Sequence, residues 1–537
     1  MKKTVLPAIL IGLLFLSGCD NVIVPKYQNY FHGSEEAVLY LGPLSEPEMG
    51  FDPIAGWANV DGVSIFHSSL LTQDTNMNIV EDLAESYSVS EDGLSYTFSI
   101  REDAEFSDGG KVKSRDVAFT YDQAAKSGKV GNLSWVDFVE TPDERTVVIH
   151  LKKPNSLFLY SVTRLGIVPE DLYGRNYYRD PVGSGPYKLE RWEPGERLIA
   201  KANPNYYGKK PFLKTVTVLF LDEQEAYEAA RSGKLDFYSV SRSFANENIP
   251  GMDLLHFKSA DRLNISLPNL PAGKVTRTDG LPVGNDITSD QAVRHAINVG
   301  IDREAITDQA LSQYGKPAYD PVDEEMPWYN EETSYKDGNT DLSKTILKSG
   351  GWIDTDADGI VEKNGMKAEF DLYAASDNKT YQQVAYMIAE QVRAFGIKIN
   401  VRIKSWDEID KLRYADPFVL LWGSLSPINI EYLYYSPNAG NGYFNSAYYK
   451  NDTVDEYIML ALHANSDEEA NKYWKAAQWD GHTGFSNRGD AGWLWIASMD
   501  HIFRVKAGLN IGEQGIQNAS NGWAIMHNIE EWKWDQK

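Results

Sequence analysis

A chain of 537 residues has length for two or three domains with separate buried cores, so a single small module is excluded. Hydrophobic residues at 42% and charged residues at 24% exclude a disordered chain and a polytopic membrane protein. With 52 basic against 77 acidic residues the formal net charge is -25; nucleic acid and anionic membrane surfaces are poor partners, and cationic or neutral ligands are mildly favoured.

The chain opens on a short basic head, Lys2-Lys3, followed by an apolar run from Val5 to Leu16, the pattern of a secretory signal and short for a membrane span. It ends in Leu16-Ser17-Gly18-Cys19, which resembles a bacterial lipobox, so Cys19 is the expected lipid attachment site. Cys19 is also the only cysteine, which rules out an internal disulfide. Asp20 resembles the residue that retains lipoproteins on the inner membrane, which gives a periplasmic location. Residues 20–34 are polar and aperiodic, as in a tether.

Next come alternating strand and helix segments. Leu94 to Ile100 alternates apolar and polar like a half-buried strand, and Ser114 is expected to cap an amphipathic helix through Val117, Ala118 and Tyr121. Thr146 to Leu151 predicts a strand closed by Lys152-Lys153-Pro154. Thr215 to Leu221 predicts another, and Asp222 with Glu225 forms a capping box for a helix that stops at Gly233. In the second half, Tyr381 to Phe395 reads as a helix stopped at Gly396 and followed by an alternating strand, 397–403. No fixed repeat appears, so two α/β lobes are the economical architecture.

Catalytic signatures are missing. The nine histidines are scattered with no pair at the i, i+4 spacing of a helical zinc site, and there is no phosphate-binding loop, nucleophile elbow or dinucleotide fingerprint. Asp354-Thr-Asp356-Ala-Asp358-Gly359 with Glu362 copies the first half of a calcium loop. Its twelfth position is Gly365 rather than a bidentate Glu, and a solvated acidic turn is the competing account. No cofactor is required. Aromatics reach 12%, and those not spent on cores suit the walls of a ligand cleft.

The run Glu81 to Arg101 (Glu-Asp-Leu-Ala-Glu-Ser-Tyr-Ser-Val-Ser-Glu-Asp-Gly-Leu-Ser-Tyr-Thr-Phe-Ser-Ile-Arg), with Phe106-Ser-Asp-Gly109 and Asp116-Val-Ala-Phe-Thr-Tyr121, closely resembles the family 5 solute-binding proteins, the peptide- and nickel-binding components of ABC importers. Further matches keep the family's order: Ile167-Val-Pro169, Pro181 to Tyr187, Asn203 to Gly208, Arg231 to Asp236, and Val293 to Asn298 with Ile301-Asp-Arg303.

The resemblance implies an α/β, two-lobed periplasmic-binding-protein fold of the class II or cluster C type, with an extra subdomain inserted in the first lobe. It divides the chain into a signal peptide (1–18), a lipidated tether (19–36), lobe I (37–75, 182–260 and 499–537), the inserted subdomain (76–181) and lobe II (261–498). The crossovers should lie at Asp261 to Pro268 and Ala497 to Arg504. The implied partners are permease and ATPase subunits in the cytoplasmic membrane, with the binding protein a monomer and a small peptide or metal chelate in the cleft. A secreted hydrolase and a sensory or chaperone adaptor that reuses the fold are the alternatives from other classes, and the motif search supports no hydrolase.

Peptide binders of this family carry an Asp shortly after a Trp in the second lobe, to receive the peptide's α-amino group. Here the text reads Leu421-Trp422-Gly-Ser-Leu-Ser-Pro427-Ile-Asn429, without an Asp. Trp422-Gly423 is similar to the nickel-chelate branch, although that branch's downstream histidine is missing from Ser436 to Gly442. These features favour a small metal complex or a compact cationic or zwitterionic solute over an oligopeptide held by its α-amino group, unless Glu48, Asp52 or Glu431 serves instead. The expected ligand-binding residues are Trp57, Arg262, Trp422, Gly423, Trp495 and His501, with His501 a candidate ligand to a bound metal complex.

Overall fold

The computed structural model describes residues 34–57, 64–130, 133–518 and 522–535. The expected signal segment, Cys19 and nearly all of the expected tether lie outside them. The strands of the two larger sheets are β1 (Glu36–Tyr40), β2 (Ala84–Val89), β3 (Ser95–Ile100), β4 (Val136–Glu140), β5 (Thr146–Leu151), β6 (Tyr187–Glu193), β7 (Arg197–Ala202), β8 (Thr215–Leu219), β9 (Phe237–Ser239), β10 (Met252–Ser266), β11 (Gly315–Pro317), β12 (Glu369–Ala375), β13 (Lys398–Lys404), β14 (Phe418–Trp422) and β15 (Trp493–Lys506). The helices used below are α1 (Ser114–Ser127), α2 (Phe158–Val162), α3 (Glu223–Arg231), α4 (Gln291–Gly300), α5 (Arg303–Leu311), α6 (Thr340–Ser349), α7 (Lys379–Val392), α8 (Ile428–Tyr434), α9 (Asp452–Leu462) and α10 (Asp467–Gln478).

Local chemistry forms most of these elements as the sequence predicts. Asp222 accepts from the Glu225 amide at 2.8 Å and Glu225 reaches back to the Asp222 amide, so α3 opens on a reciprocal capping box. The α7 segment continues through a single 3₁₀ turn to Gly396, whose φ of 89° lets the chain reverse into β13. One expectation needs correction. Ser114 is the first helical residue of α1 and not its cap; the Asp116 carboxylate accepts from the Lys113 amide, while the Ser114 hydroxyl donates to the Asp143 carbonyl.

The large sheet has 11 strands in the order β13-β12-β14-β10-β15-β9-β1-β8-β7-β6, with β11 added against β15. Among the apolar clusters of the described residues, the three largest surround it and its satellite. Leu39, Val216, Val218, Phe237, Phe503, Trp523 and Trp532 belong to the first. Phe98, Ile100, Val117, Tyr121, Val147 and Ile149 form the second, under the antiparallel sheet β2-β3-β5-β4, which interrupts the chain between β1 and β6. The third is the largest and gathers Leu263, Ile265, Val384, Ile388, Phe418, Trp474 and Trp495.

Two strands connect the first core with the third. Along β10 the contacts change from Leu255 and Phe257, packed against the first core, to Leu263 and Ile265 in the third, and along β15 from Trp493–Ala497 in the third to Phe503 and Val505 in the first. Between the cores the ladder slips: Lys258 pairs with Asp500, but the next pair is Arg262 with Ser498. Ser259, Ala260 and Asp261 therefore bulge opposite Met499 alone. A bulge breaks pairing and sharpens the local twist between the two lobes; here Gln517 takes up the freed groups, its amide donating to Lys258 O and its carbonyl accepting from Ala260 N, both at 2.8 Å.

Candidate functional site

The bulge positions the residues that matter. On the second lobe β14 runs parallel to β12 and antiparallel to β10, so its carboxyl end delivers Trp422 directly opposite Arg262. The crevice outside the carboxyl ends of strands is where open α/β sheets bind ligands. Trp422 is half-buried; its indole N–H donates to Asn429 Oδ1 at 2.8 Å, and its ring meets the edge of Phe444, which stacks on Tyr432 at 4.2 Å. Gly423 follows because nothing larger fits: a Cβ there would lie 2.3 Å from the Ala260 carbonyl oxygen in the bulge.

Arg262 and His501 are both engaged by carboxylates. Arg262 donates to Asp323 Oδ2 at 2.6 Å. Burial pushes the Asp323 carboxyl upward, but the Arg262 guanidinium and neighbouring groups outweigh it and hold the carboxyl below its usual range. His501 Nε2 lies 2.8 Å from Asp261 Oδ2, within the bulge. The structure thus brings Arg262, Trp422 and Gly423 together, with His501 bonded to the residue that precedes Arg262.

Two expected ligand residues are built into cores. Trp57 lies among Phe51 and Trp523, each with its ring edge-on at 5.0 Å, and its indole N–H reaches Ser64 Oγ. Trp495 is 2% exposed in the third core and donates to the Tyr434 hydroxyl at 2.9 Å. These two side chains serve packing, and their indole N–H groups are satisfied internally.

Of the alternative acids, Glu48 is exposed, and Asp52 is occupied by the Ile54 amide and the Tyr173 hydroxyl. Glu431 is more informative. One oxygen accepts from Asn438 at 2.9 Å, the other is buried without a hydrogen bond, and burial raises its carboxyl above the usual range.

Asp354, Asp356, Asp358 and Glu362 do converge, with ligand atoms within 4.8 Å of one another. The ammonium of Lys367 stands among them, 2.9 Å from Asp356 and 3.8 Å from Glu362, with Asp358 in close contact. A lysine thus supplies the positive charge for this acidic turn.

Sequence reasoning missed the wall opposite. The second core, carrying α2, touches the third directly: the Ser156 amide donates to Leu462 O and its hydroxyl to Ala461 O, both at 2.8 Å. Tyr160 sets its ring against Trp328 at 6.3 Å, and the Arg164 guanidinium acts on the Tyr432 phenol, whose proton affinity is otherwise raised by burial and by Glu431. Beside these contacts is a cavity of about 360 Å³, lined from one side by Asn76, Tyr87 and Tyr160 and from the other by Trp328, Leu425 and Asp467. No local pattern marks these residues, because they meet only when two cores dock.

Comparison with known proteins agrees with this two-lobed geometry. Residues 78–445 match the family model for bacterial extracellular solute-binding proteins, family 5 Middle. The chain belongs to that family. Protein XP55 of Streptomyces lividans is 31% identical over 510 residues, covering 92% of this chain and 89% of that one. The oligopeptide-binding protein AppA of Bacillus subtilis is 27% identical over 468 residues, covering 81% and 82%. Among solved structures, NikZ from Campylobacter jejuni in complex with Ni(L-His) superposes with a TM-score of 0.76 at 24% identity, over 94% of this chain and all of that one. The last comparison shows the shared fold. This is a family 5 solute-binding protein of ABC importers, a family of extracellular or periplasmic transport proteins and not of enzymes.

Proposed function

We propose that this protein captures a small solute in the cleft between its lobes and hands it to an inner-membrane permease, held at the periplasmic face by a lipid on Cys19. The observation that supports capture is the three-residue bulge at Ser259–Asp261, placed between two cores and beside the carboxyl end of β14. A break in the ladder there lets the lobes rotate about β10 and β15, and a solute that touches both walls favours the closed arrangement. An oligopeptide-binding relative, a glutathione-binding relative and a structural neighbour carrying a nickel–histidine complex set the range of solutes to test. A nickel chelate would use Trp422 with Arg262 and His501, and would have to displace Asp323 and Asp261 from them.

Native mass spectrometry of the purified protein is expected to reveal a co-purified small molecule. Adding it back to stripped protein should reduce the radius of gyration in small-angle scattering and raise the melting temperature, by about 2.7 kcal/mol of stabilisation at a hundredfold excess over Kd. An unchanged radius with a bound solute would refute hinge closure. For the anchor, Cys19→Ser is expected to abolish incorporation of labelled palmitate and release the protein from the membrane while leaving solute affinity unchanged. Palmitate entering the variant would disprove attachment at Cys19.

A further inference from the structure

The acidic turn at 354–362 holds more negative charge than its lysine cancels. Asp354, Asp356, Asp358 and Glu362 bring carboxylate oxygens within 4.8 Å of one another, and among the described residues the cation paired with them is Lys367. Lys363, close by in the chain, is drawn off to Asp290. Glu362 is the telling member. Its side chain is only 10% exposed; Oε2 accepts from the Thr355 amide at 2.8 Å and the Thr355 hydroxyl at 3.1 Å, whereas Oε1 is buried with no hydrogen bond. The Lys367 ammonium lies 2.9 Å from Asp356 Oδ2 and against Asp358 Oδ2, yet 3.8 Å from Glu362 Oε1, beyond hydrogen-bond reach. A shielded carboxylate oxygen that faces other carboxylates is costly without a positive partner within reach.

We infer that this turn is a calcium site, in which Asp354, Asp356, Asp358 and Glu362 hold the ion and Lys367 is the group that gives way to it. The inference concerns the second lobe alone and does not depend on which solute the cleft takes. Every side-chain donor is a carboxylate oxygen, with no imidazole or thiolate among them, which selects a hard cation over zinc or copper. Magnesium demands a tight octahedron and keeps much of its water, whereas calcium accepts several carboxylates in an irregular shell. The order of residues suits that shell: aspartates stand at the first, third and fifth positions, Gly359 at the sixth with a φ of 90°, Ile360 at the seventh with its backbone carbonyl, and Glu362 at the ninth. The turn also keeps its shape without an ion, because Asp354 accepts from the Ala357 and Gly359 amides and Asp358 from the Ile360 amide. Gly365 in place of a twelfth-position Glu withholds two ligand oxygens, and Lys367 competes, so the affinity belongs with the weak sites of extracellular modules, a Kd of about 10⁻⁴–10⁻³ M.

An ion bound there fastens one edge of the second lobe. Ile353 and Glu362 exchange both backbone hydrogen bonds, at 3.0 and 2.9 Å, and so close the turn. The Val361 amide donates to Gly396 O at 2.9 Å, and the Ala368 amide, just before β12, donates to Val361 O at 2.8 Å. Ile360 and Val361 pack against the third core. The turn therefore ties the stretch after α6 to the start of β12 and to the reversal between α7 and β13, and calcium stabilises that lobe by mass action.

The test is terbium luminescence and calcium calorimetry on the full chain stripped with a chelator. Trp352, two residues before Asp354 and 2% exposed, is the expected sensitiser. Terbium excited through tryptophan should luminesce, should be displaced by millimolar calcium and not by equal magnesium, and should lose most of its signal in Trp352→Phe. Asp356→Asn/Asp358→Asn changes two exposed side chains and keeps the fold; it should weaken calcium at least about tenfold. Lys367→Met supplies a result of opposite sign. A lysine that gives way to the ion leaves, when removed, a chain that binds calcium severalfold more tightly and gains more in melting temperature from it. A lysine that is the permanent partner of the turn leaves a less stable chain with no calcium response. Absence of sensitised terbium, equal binding by the double Asn variant, or a Lys367→Met chain that binds calcium no better than the parent would each overturn the site. Displacement of terbium by magnesium at the same concentration would overturn its assignment to calcium.

Discussion

Replacing Arg303 with alanine is expected to destabilise the second lobe by about 3–5 kcal/mol, the loss typical when one partner of a buried ion pair is removed. Arg303 is wholly buried at the start of α5. Its guanidinium donates to the Ala318, Trp495 and Asn298 carbonyls, to Asn298 Oδ1, and to Asp337 at 2.8 Å. Tyr319 and Tyr335 cover it, with ring centroids 5.1 and 5.6 Å from the guanidinium carbon. One side chain thus joins α4, α5, β15 and the loop that carries Asp337. Removing it leaves a cavity, takes a donor from the Ala318, Trp495 and Asn298 carbonyls, and leaves the largely buried Asp337 carboxylate without its cation. Urea unfolding of Arg303→Ala and of Arg303→Met/Asp337→Asn separates these effects. The double variant should recover part of the loss because no charge stays buried alone. A single-variant loss under about 1 kcal/mol would show that the network carries little net stability.

Gly423→Val is expected to abolish closure and to cost about 1–3 kcal/mol, the usual penalty for overpacking. The constraint at Gly423 is proximity. Its missing Cβ would stand 2.3 Å from Ala260 O, 2.6 Å from Ala260 C and 2.9 Å from Asp261 N, all backbone atoms of the bulge. No rotamer relieves a clash with backbone, so β14 must separate from β10. That separation breaks the register that sets Trp422 against Arg262. Scattering with a bound solute should then show no compaction, and Gly423→Ala should fall between the variant and the parent. A Gly423→Val protein that melts and closes like the parent would mean that the bulge yields freely.

Much of the fold was legible because it is written over short distances. The capping box of α3 needs Asp222 and Glu225 alone, the strand at Thr146–Leu151 follows from its alternation, and the reversal after α7 follows from Gly396. The crossovers that the resemblance places at Asp261–Pro268 and Ala497–Arg504 lie in longer strands, Met252–Ser266 and Trp493–Lys506, because the ladder between the two continues beyond those stretches. Local reading also misassigned the cap of α1, since Ser114 and the Lys113–Asp116 pair offer neighbouring solutions and the Asp143 carbonyl decided between them.

The sequence by itself determined that this is an acidic chain of two α/β lobes with the ordered motifs of its family, since composition, periodicity and motif order are properties of neighbouring residues. Tertiary structure alone decided which of the candidate side chains are buried and which are left partly accessible. Trp57, Trp422 and Trp495 look alike as letters, yet two are buried in cores and one is half-buried at the end of its strand, because burial depends on what packs from elsewhere in the chain. Arg262 faces Trp422 through sheet register, Lys367 enters an acidic turn that reads as a calcium loop, and Tyr87 and Trp328 line one cavity only because two cores dock. Register and docking bring together residues far apart in the chain, and no local pattern encodes such meetings.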